Sequence, residues 1–261
     1  MKRIFTLILF LSVLQASSQT ADKWAAHFQF GADFMSRYIW RGLNLGGPGP
    51  SIQPNLGLKV GNSKHEFSLG AWGAYTFGPT SNEEVDLSTS YSFRGIFTVA
   101  VTDYFFPGSY EDKRNEYFYY RSDSTGHVYE ASVSFNGTRK IPVTFLVATN
   151  FYGNDAPRLE KINDSTYNKK GIQYSTYLEI GFKACIKTID FNAFIGGTVN
   201  NPDESNGETG YYHNTRPGIT NIGIKVSKSI AITDKYAIGL QSSLIANPLQ
   251  NKLYLVFGIS F

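Results

Sequence analysis

Ser51-Ile-Gln-Pro-Asn-Leu-Gly-Leu-Lys-Val-Gly61 sets Ile52, Pro54, Leu56, Leu58 and Val60 against Ser51, Gln53, Asn55, Gly57 and Lys59. Successive side chains of a strand point to opposite faces, so a period of two describes a wall between an apolar and a polar medium. Pro54 gives up one ladder hydrogen bond, a local cost that leaves the pattern intact. The same alternation recurs on either side. Trp24, Ala26, Phe28, Phe30, Ala32 and Phe34 precede it, and Phe67, Leu69, Ala71, Gly73, Tyr75 and Phe77 follow. Tyr129, Ala131, Val133 and Phe135 are separated from Ile141, Val143, Phe145 and Val147 by Asn136-Gly137, a hairpin signal. Similar sets start at Val85, Phe97, Ile172, Ile189, Ile222 and Tyr236, giving about twelve strands, an even number as single-chain bacterial barrels have.

The two ends of the chain agree with that reading. Lys2 and Arg3 precede an apolar run from Ile4 to Leu14 and then Gln15, Ala16, Ser17, Ser18 and Gln19, the order of a secretory signal peptide. A spanning helix needs roughly 20 apolar residues, so this run is read as a leader, residues 1–18, cleaved after Ser18. At the other end Lys252-Leu-Tyr-Leu-Val-Phe-Gly-Ile-Ser-Phe261 puts Leu253, Leu255, Phe257, Ile259 and Phe261 on one face. This resembles the outer-membrane barrel-assembly signal, an alternating strand closed by an aromatic.

Composition suits strands and tight turns: 17 Tyr, 20 Phe and 25 Gly against 2 Met and 1 Cys. Cys185 has no intrachain partner and reads as a small residue without chemistry. With 24 basic and 21 acidic residues there is no nucleic-acid footprint. Mean hydropathy is slightly negative, −0.22, as expected where only every second side chain meets lipid. The expectation is an all-β, antiparallel, up-and-down transmembrane barrel over residues 19–261, resident in the outer membrane, with lipid and the barrel-assembly machinery as partners. Connections at 107–127, 153–170 and 200–217 read as extracellular loops, and those at 61–64, 94–95 and 136–140 as periplasmic turns.

Charge placement identifies the lumen, because a charge facing mid-bilayer lipid costs roughly 2–4 kcal/mol. Arg37, Arg41, Lys59, Glu84, Asp86, Glu130, Glu179, Lys183, Asp190, Lys225 and Lys252 share the inward parity, as does Asp33; Asp103 is the exception. Arg37 and Arg41 are expected near the end of strand one, either selecting anions at a constriction or paired with acids such as Glu84 and Asp86. Lys59, Lys183 and Lys225 are expected together at the periplasmic mouth. Tyr119, Tyr120, Tyr211 and Tyr212 could stack on a sugar, or girdle the interface.

Ser36-Arg-Tyr-Ile-Trp-Arg-Gly42 followed by Pro50-Ser-Ile-Gln53, then Glu84-Val-Asp-Leu-Ser-Thr-Ser-Tyr91 and Thr102-Asp-Tyr-Phe-Phe-Pro-Gly108, resembles blocks of the Gcw_chp family of bacterial conserved hypothetical proteins. The resemblance spans roughly the first half of the mature chain. It implies an exported barrel of unassigned function and carries over no catalytic residue.

No enzyme is expected. His27, His65, His127 and His213 stand in no His-x-Ser arrangement, and Asp203, Glu204, Glu208 and His213 read as a solvated loop rather than an omptin-like cluster. The acids of the 201–208 stretch lack a recognised calcium spacing, and Gly46-Gly-Pro-Gly-Pro50 lacks the Lys and helix of a phosphate loop. No metal or cofactor is therefore expected. The functional expectation is passive, porin-like passage of small solutes, with a blocked, structural or surface-binding barrel as the alternative and a barrel hydrolase third.

Overall fold

The computed structural model describes residues 23–78, 82–122, 124–163, 166–234 and 236–261; the expected leader lies outside them. The chain runs through β1 (Ala25–Met35), β2 (Ile39–Trp40), β3 (Leu43–Asn44), β4 (Ser51–Gly61), β5 (His65–Thr76), β6 (Glu83–Phe93), β7 (Phe97–Phe105) and β8 (Val128–Phe135). It continues through β9 (Val143–Gly153), β10 (Pro157–Asn163), β11 (Thr166–Ile172), β12 (Thr176–Ile186), β13 (Ile189–Thr198), β14 (Gly218–Thr233), β15 (Tyr236–Asn247) and β16 (Lys252–Ser260). Twelve of these strands close one antiparallel barrel; β2 with β3, and β10 with β11, form separate hairpins.

Register follows the alternation. Phe30 sits opposite Leu56 and Leu56 opposite Ala71, so one face of the wall is largely apolar. Phe28 and Phe30 are 70% and 86% exposed, whereas Ser51, Ala148 and Tyr177 on the other parity are wholly buried. The polar parity therefore faces the lumen. The sheet closes on itself between β1 and β16, and closure is the condition under which strands can sit in hydrocarbon.

The buried inward positions, among them Ser51, Glu84, Val128, Asn150, Tyr177 and Asn247, lie at the end where the long connections emerge. This loop end is filled. Toward the opposite, turn end several inward side chains are small, such as Ser68, Gly70, Ser88 and Ala100, and they stay partly or fully exposed.

The closing seam is short. β1 pairs with β4 from Ala25–Gly61 to Met35–Ser51, yet meets β16 only at Asp33–Ser260, Phe34–Ile259 and Met35–Gly258. After Met35 the chain leaves the wall, which corrects the expected positions of Arg37 and Arg41. They belong to an inserted segment between β1 and β4, not to strand one. Two other expectations change. The 153–170 loop contains most of the β10–β11 hairpin, whose Thr/Tyr/Asn/Lys composition gave no alternating signal. Ile172 ends that hairpin rather than opening β12, because Tyr174 takes a left-handed φ of 51° and interrupts the extended chain.

Candidate functional site

The inserted hairpin turns over at Trp40-Arg41-Gly42. Arg41 and Gly42 adopt φ of 47° and 82°, and a Cβ on Gly42 would stand 1.8 Å from the Thr220 carbonyl oxygen. The turn is pressed against β14 so closely that only glycine fits. From the neighbouring strand, Asn247 Nδ2 on β15 donates to the Gly42 carbonyl at 3.1 Å.

That seating delivers Arg41 to Glu130 on β8. Nη1 and Nη2 donate to the two carboxylate oxygens, the second at 2.8 Å, and Nη1 also donates to the Tyr212 hydroxyl at 2.9 Å. The guanidinium lies over the rings of Trp40 and Tyr177, 4.4 and 4.6 Å from their centroids. Tyr104 on β7 donates to Glu130 Oε1 at 3.1 Å. Side-chain exposures of 11% and 3% make this a desolvated pair, tolerable because both charges are held by several directed bonds.

Aromatic packing extends the plug. Trp40 stacks on Tyr212 at 5.7 Å and 9°, Tyr212 packs on Tyr177, and Leu43 joins Tyr177 and Tyr212 in one buried cluster. Asn221 Nδ2 on β14 donates to the Tyr177 hydroxyl and to Glu179 Oε2 at 3.0 and 3.1 Å. On the other side Tyr38 packs on Trp72 of β5 at 5.3 Å and hydrogen-bonds to Glu84 of β6. The hairpin and the 211–212 pair thus span the lumen from β5 and β6 to β12, β14 and β15.

Glu84 and Asp86, expected as arginine partners, are not. Arg41 is committed to Glu130, and Arg37 Nη1 donates to the Gly47 carbonyl at 3.4 Å. The correction has a local cause: the hairpin projects Arg41 past β6 to β8. Glu84 and Asp86 instead hydrogen-bond to each other, and Glu84 Oε2 and Asp86 Oδ1 have no partner among the described residues.

The lysines divide. Lys183, Lys225, Asp190 and Arg139 line a turn-end cavity of about 800 Å³. Lys59 lies on the opposite wall, 3.6 Å from Glu66, so the expected three-lysine cluster does not form. Five wall strands separate β4 from β12 either way round the barrel. Lys252 is exposed at the loop end, Asp33 lies beside the seam, and Leu253, Leu255, Phe257, Ile259 and Phe261 all face outward.

Loop residues take three places. Tyr211 and Tyr212 fold into the lumen. Tyr119 and Tyr120 lie in the 107–127 loop, where buried His127 donates from Nδ1 to the outward Asp103 carboxylate at 2.7 Å and stacks on Phe105. Glu208 takes the Leu159 and Asp203 amides and Arg158, tying the β10–β11 hairpin to the 200–217 loop, while Asp203 caps Ser205. Asp203, Glu204, Glu208 and His213 are therefore not gathered into one acidic site. Beneath these loops lies a cavity of about 550 Å³ whose wall includes Trp40, Tyr104, Tyr110, Tyr211 and Glu84.

Sequence reasoning missed Tyr38, Trp40, Gly42, Tyr104 and Tyr177. The available signal was Tyr38-Ile-Trp-Arg-Gly42, a run of bulky side chains breaking the alternation before the glycine-rich 46–49 stretch.

No family model and no curated protein matches the chain. A solved structure described as "Unveiling the Mechanism Behind the in-meso Crystallization of Membrane Proteins" is similar at 8% identity and a TM-score of 0.45, over 90% of this chain and 83% of that one.

Proposed function

We propose that this chain is an outer-membrane barrel stopped at its extracellular end by its own first hairpin, and that it works as a surface-binding protein rather than an open pore. The observation that carries this reading is the Arg41–Glu130 pair, which anchors the hairpin across the lumen with bonds on every side. The export signal, the apolar exterior and the terminal aromatic strand support residence in the outer membrane, with the turn end toward the periplasm. Membership of the Gcw_chp family is part of the proposal, since Ser36 to Gly42, which carries the resemblance, is the plug itself.

Passive passage of small solutes is the second reading, supported by the small, partly or fully exposed inward side chains toward the turn end. It requires the hairpin to leave its seat. Planar-bilayer recording separates the two: the blocked barrel is silent as wild type and conducts as Arg41→Ala. Steady wild-type channels would overturn it. Recovery of the protein from the soluble periplasmic fraction would remove both readings.

A further inference from the structure

The plug does more than stop the lumen: with Asn82, Phe106, Tyr110, Pro157 and Thr209 it walls the cavity of about 550 Å³. Volume and lining are those of a small-ligand site, mostly apolar and aromatic with a few polar groups. We infer that this cavity binds a small organic cation, an amine or quaternary ammonium. The inference rests on the surface-binding reading and gives that surface its ligand class.

Three observations converge. First, the cavity wall carries acid that no lining Lys or Arg neutralises. Glu84 lines it, is 1% exposed, and keeps Oε2 without a partner, while its neighbour Asp86 keeps Oδ1 without one. Asp155, the other lining acid, is already satisfied by Asn150 Nδ2 and the Ser175 amide, both at 3.0 Å. Second, no Lys or Arg lines the cavity among the described residues; His213 is the one lining base. Arg41 is held by Glu130 and does not neutralise Glu84. Because one carboxyl must hold the proton that bonds it to the other, the pair bears a single negative charge, and with no Lys or Arg beside it an entering cation relieves the cost of burying that charge.

Third, the walls offer π faces. Trp40, Tyr104, Tyr110 and Tyr211 meet the cavity, and two of these rings already attract cations from the chain itself. Arg41 lies 4.4 Å from the Trp40 centroid and Arg114 lies 4.3 Å from that of Tyr110. Aromatic faces beside a carboxylate recognise ammonium groups by the ring quadrupole and by charge together. A neutral sugar would use the rings but not the acid.

The test compares choline with 3,3-dimethylbutanol, its uncharged isostere, and with methyl glucoside. Binding is measured by calorimetry on the full mature barrel folded in a non-ionic polyoxyethylene detergent. Choline binds at least about tenfold more tightly than the isostere, and Glu84→Gln removes about that factor. Should Glu84→Gln lose its heat-modifiable gel shift, Ser109→Lys, on an exposed loop at the cavity wall, takes its place and lowers choline affinity by a similar factor. Equal binding of choline and isostere overturns the inference. So does glucoside binding without choline binding, or an affinity indifferent to both substitutions. A silent wild-type bilayer alongside absent choline binding overturns the ligand class and leaves the blocked barrel standing.

Discussion

Ser36 and Phe257 grip each other twice across the closing seam: the Ser36 amide donates to the Phe257 carbonyl at 2.8 Å, and the Phe257 amide donates to the Ser36 hydroxyl at 2.9 Å. With the Ala32–Phe261 backbone bonds, these extend a seam of only three register pairs.

The Ser36 hydroxyl is therefore worth more than a surface serine. Ser36→Ala strands the Phe257 amide and destabilises the barrel by about 1–3 kcal/mol. The temperature at which the folded band converts to the unfolded one on gels falls accordingly. Deleting Phe261 removes the Ala32 bonds and the terminal aromatic together, and lowers the amount of assembled protein as well. An unchanged conversion temperature for Ser36→Ala would place the strength of the seam elsewhere.

Arg41→Ala leaves Glu130 buried and short of its strongest partner, a loss of about 3–5 kcal/mol. Removing both charges in Arg41→Ala/Glu130→Ala costs less than Arg41→Ala alone, because no orphan charge remains. Urea unfolding followed by tryptophan fluorescence gives the coupling energy. Additive losses would mean that the pair does not hold the plug.

Two glycines form a controlled comparison. Gly42 and Gly95 both have positive φ, 82° and 64°, but a Cβ at Gly95 meets nothing within 4 Å whereas one at Gly42 runs into Thr220. Gly95→Ala costs about 1 kcal/mol from backbone strain alone. Gly42→Ala costs more and also unseats the hairpin, so bilayer current appears in that variant and not in the other. Equal effects in the two would refute the close approach.

Glu208 makes loop order pH-dependent. Burial opposes its charge, but the Asp203 and Leu159 amides and the Arg158 guanidinium outweigh it and hold the carboxyl below the usual range. A depressed folded value means the stabilisation is complete above the unfolded value of about 4.3 and fades as pH falls through the folded one. Hydrogen exchange at the Leu159 and Asp203 amides speeds up below about pH 4 relative to the intrinsic rate. In Glu208→Gln that protection is reduced at neutral pH and nearly independent of pH. A wild-type profile that is flat down to pH 3 would contradict the clamp.

The wall was legible because each of its residues answers to one local rule, inward or outward. Leu56, Phe145 and Leu255 could be placed from their neighbours in sequence alone. The plug was not, since Arg41 meets Glu130, Tyr177 and Tyr212, and Gly42 the Thr220 backbone, only through closure of the whole ring. Charge parity identified Glu130 and Glu179 as inward without saying which base would meet them, and it paired Glu84 with the wrong side of the barrel. The β10–β11 hairpin escaped for the opposite reason. It stands clear of the membrane wall, both its faces meet water over much of its length, and nothing obliges its residues to alternate.

The inserted hairpin is encoded between the first two wall strands, while its seats, Glu130, Tyr177, Thr220 and Asn247, are spread over strands that follow much later. Its reach is fixed by a rigid turn. A ring built with one strand pair more or fewer would carry those seats out of range, leaving Glu130 unmatched and the Gly42 carbonyl without its donor. The chain thus carries a mandrel: the same segment that stops the lumen also gauges the girth at which the sheet can close.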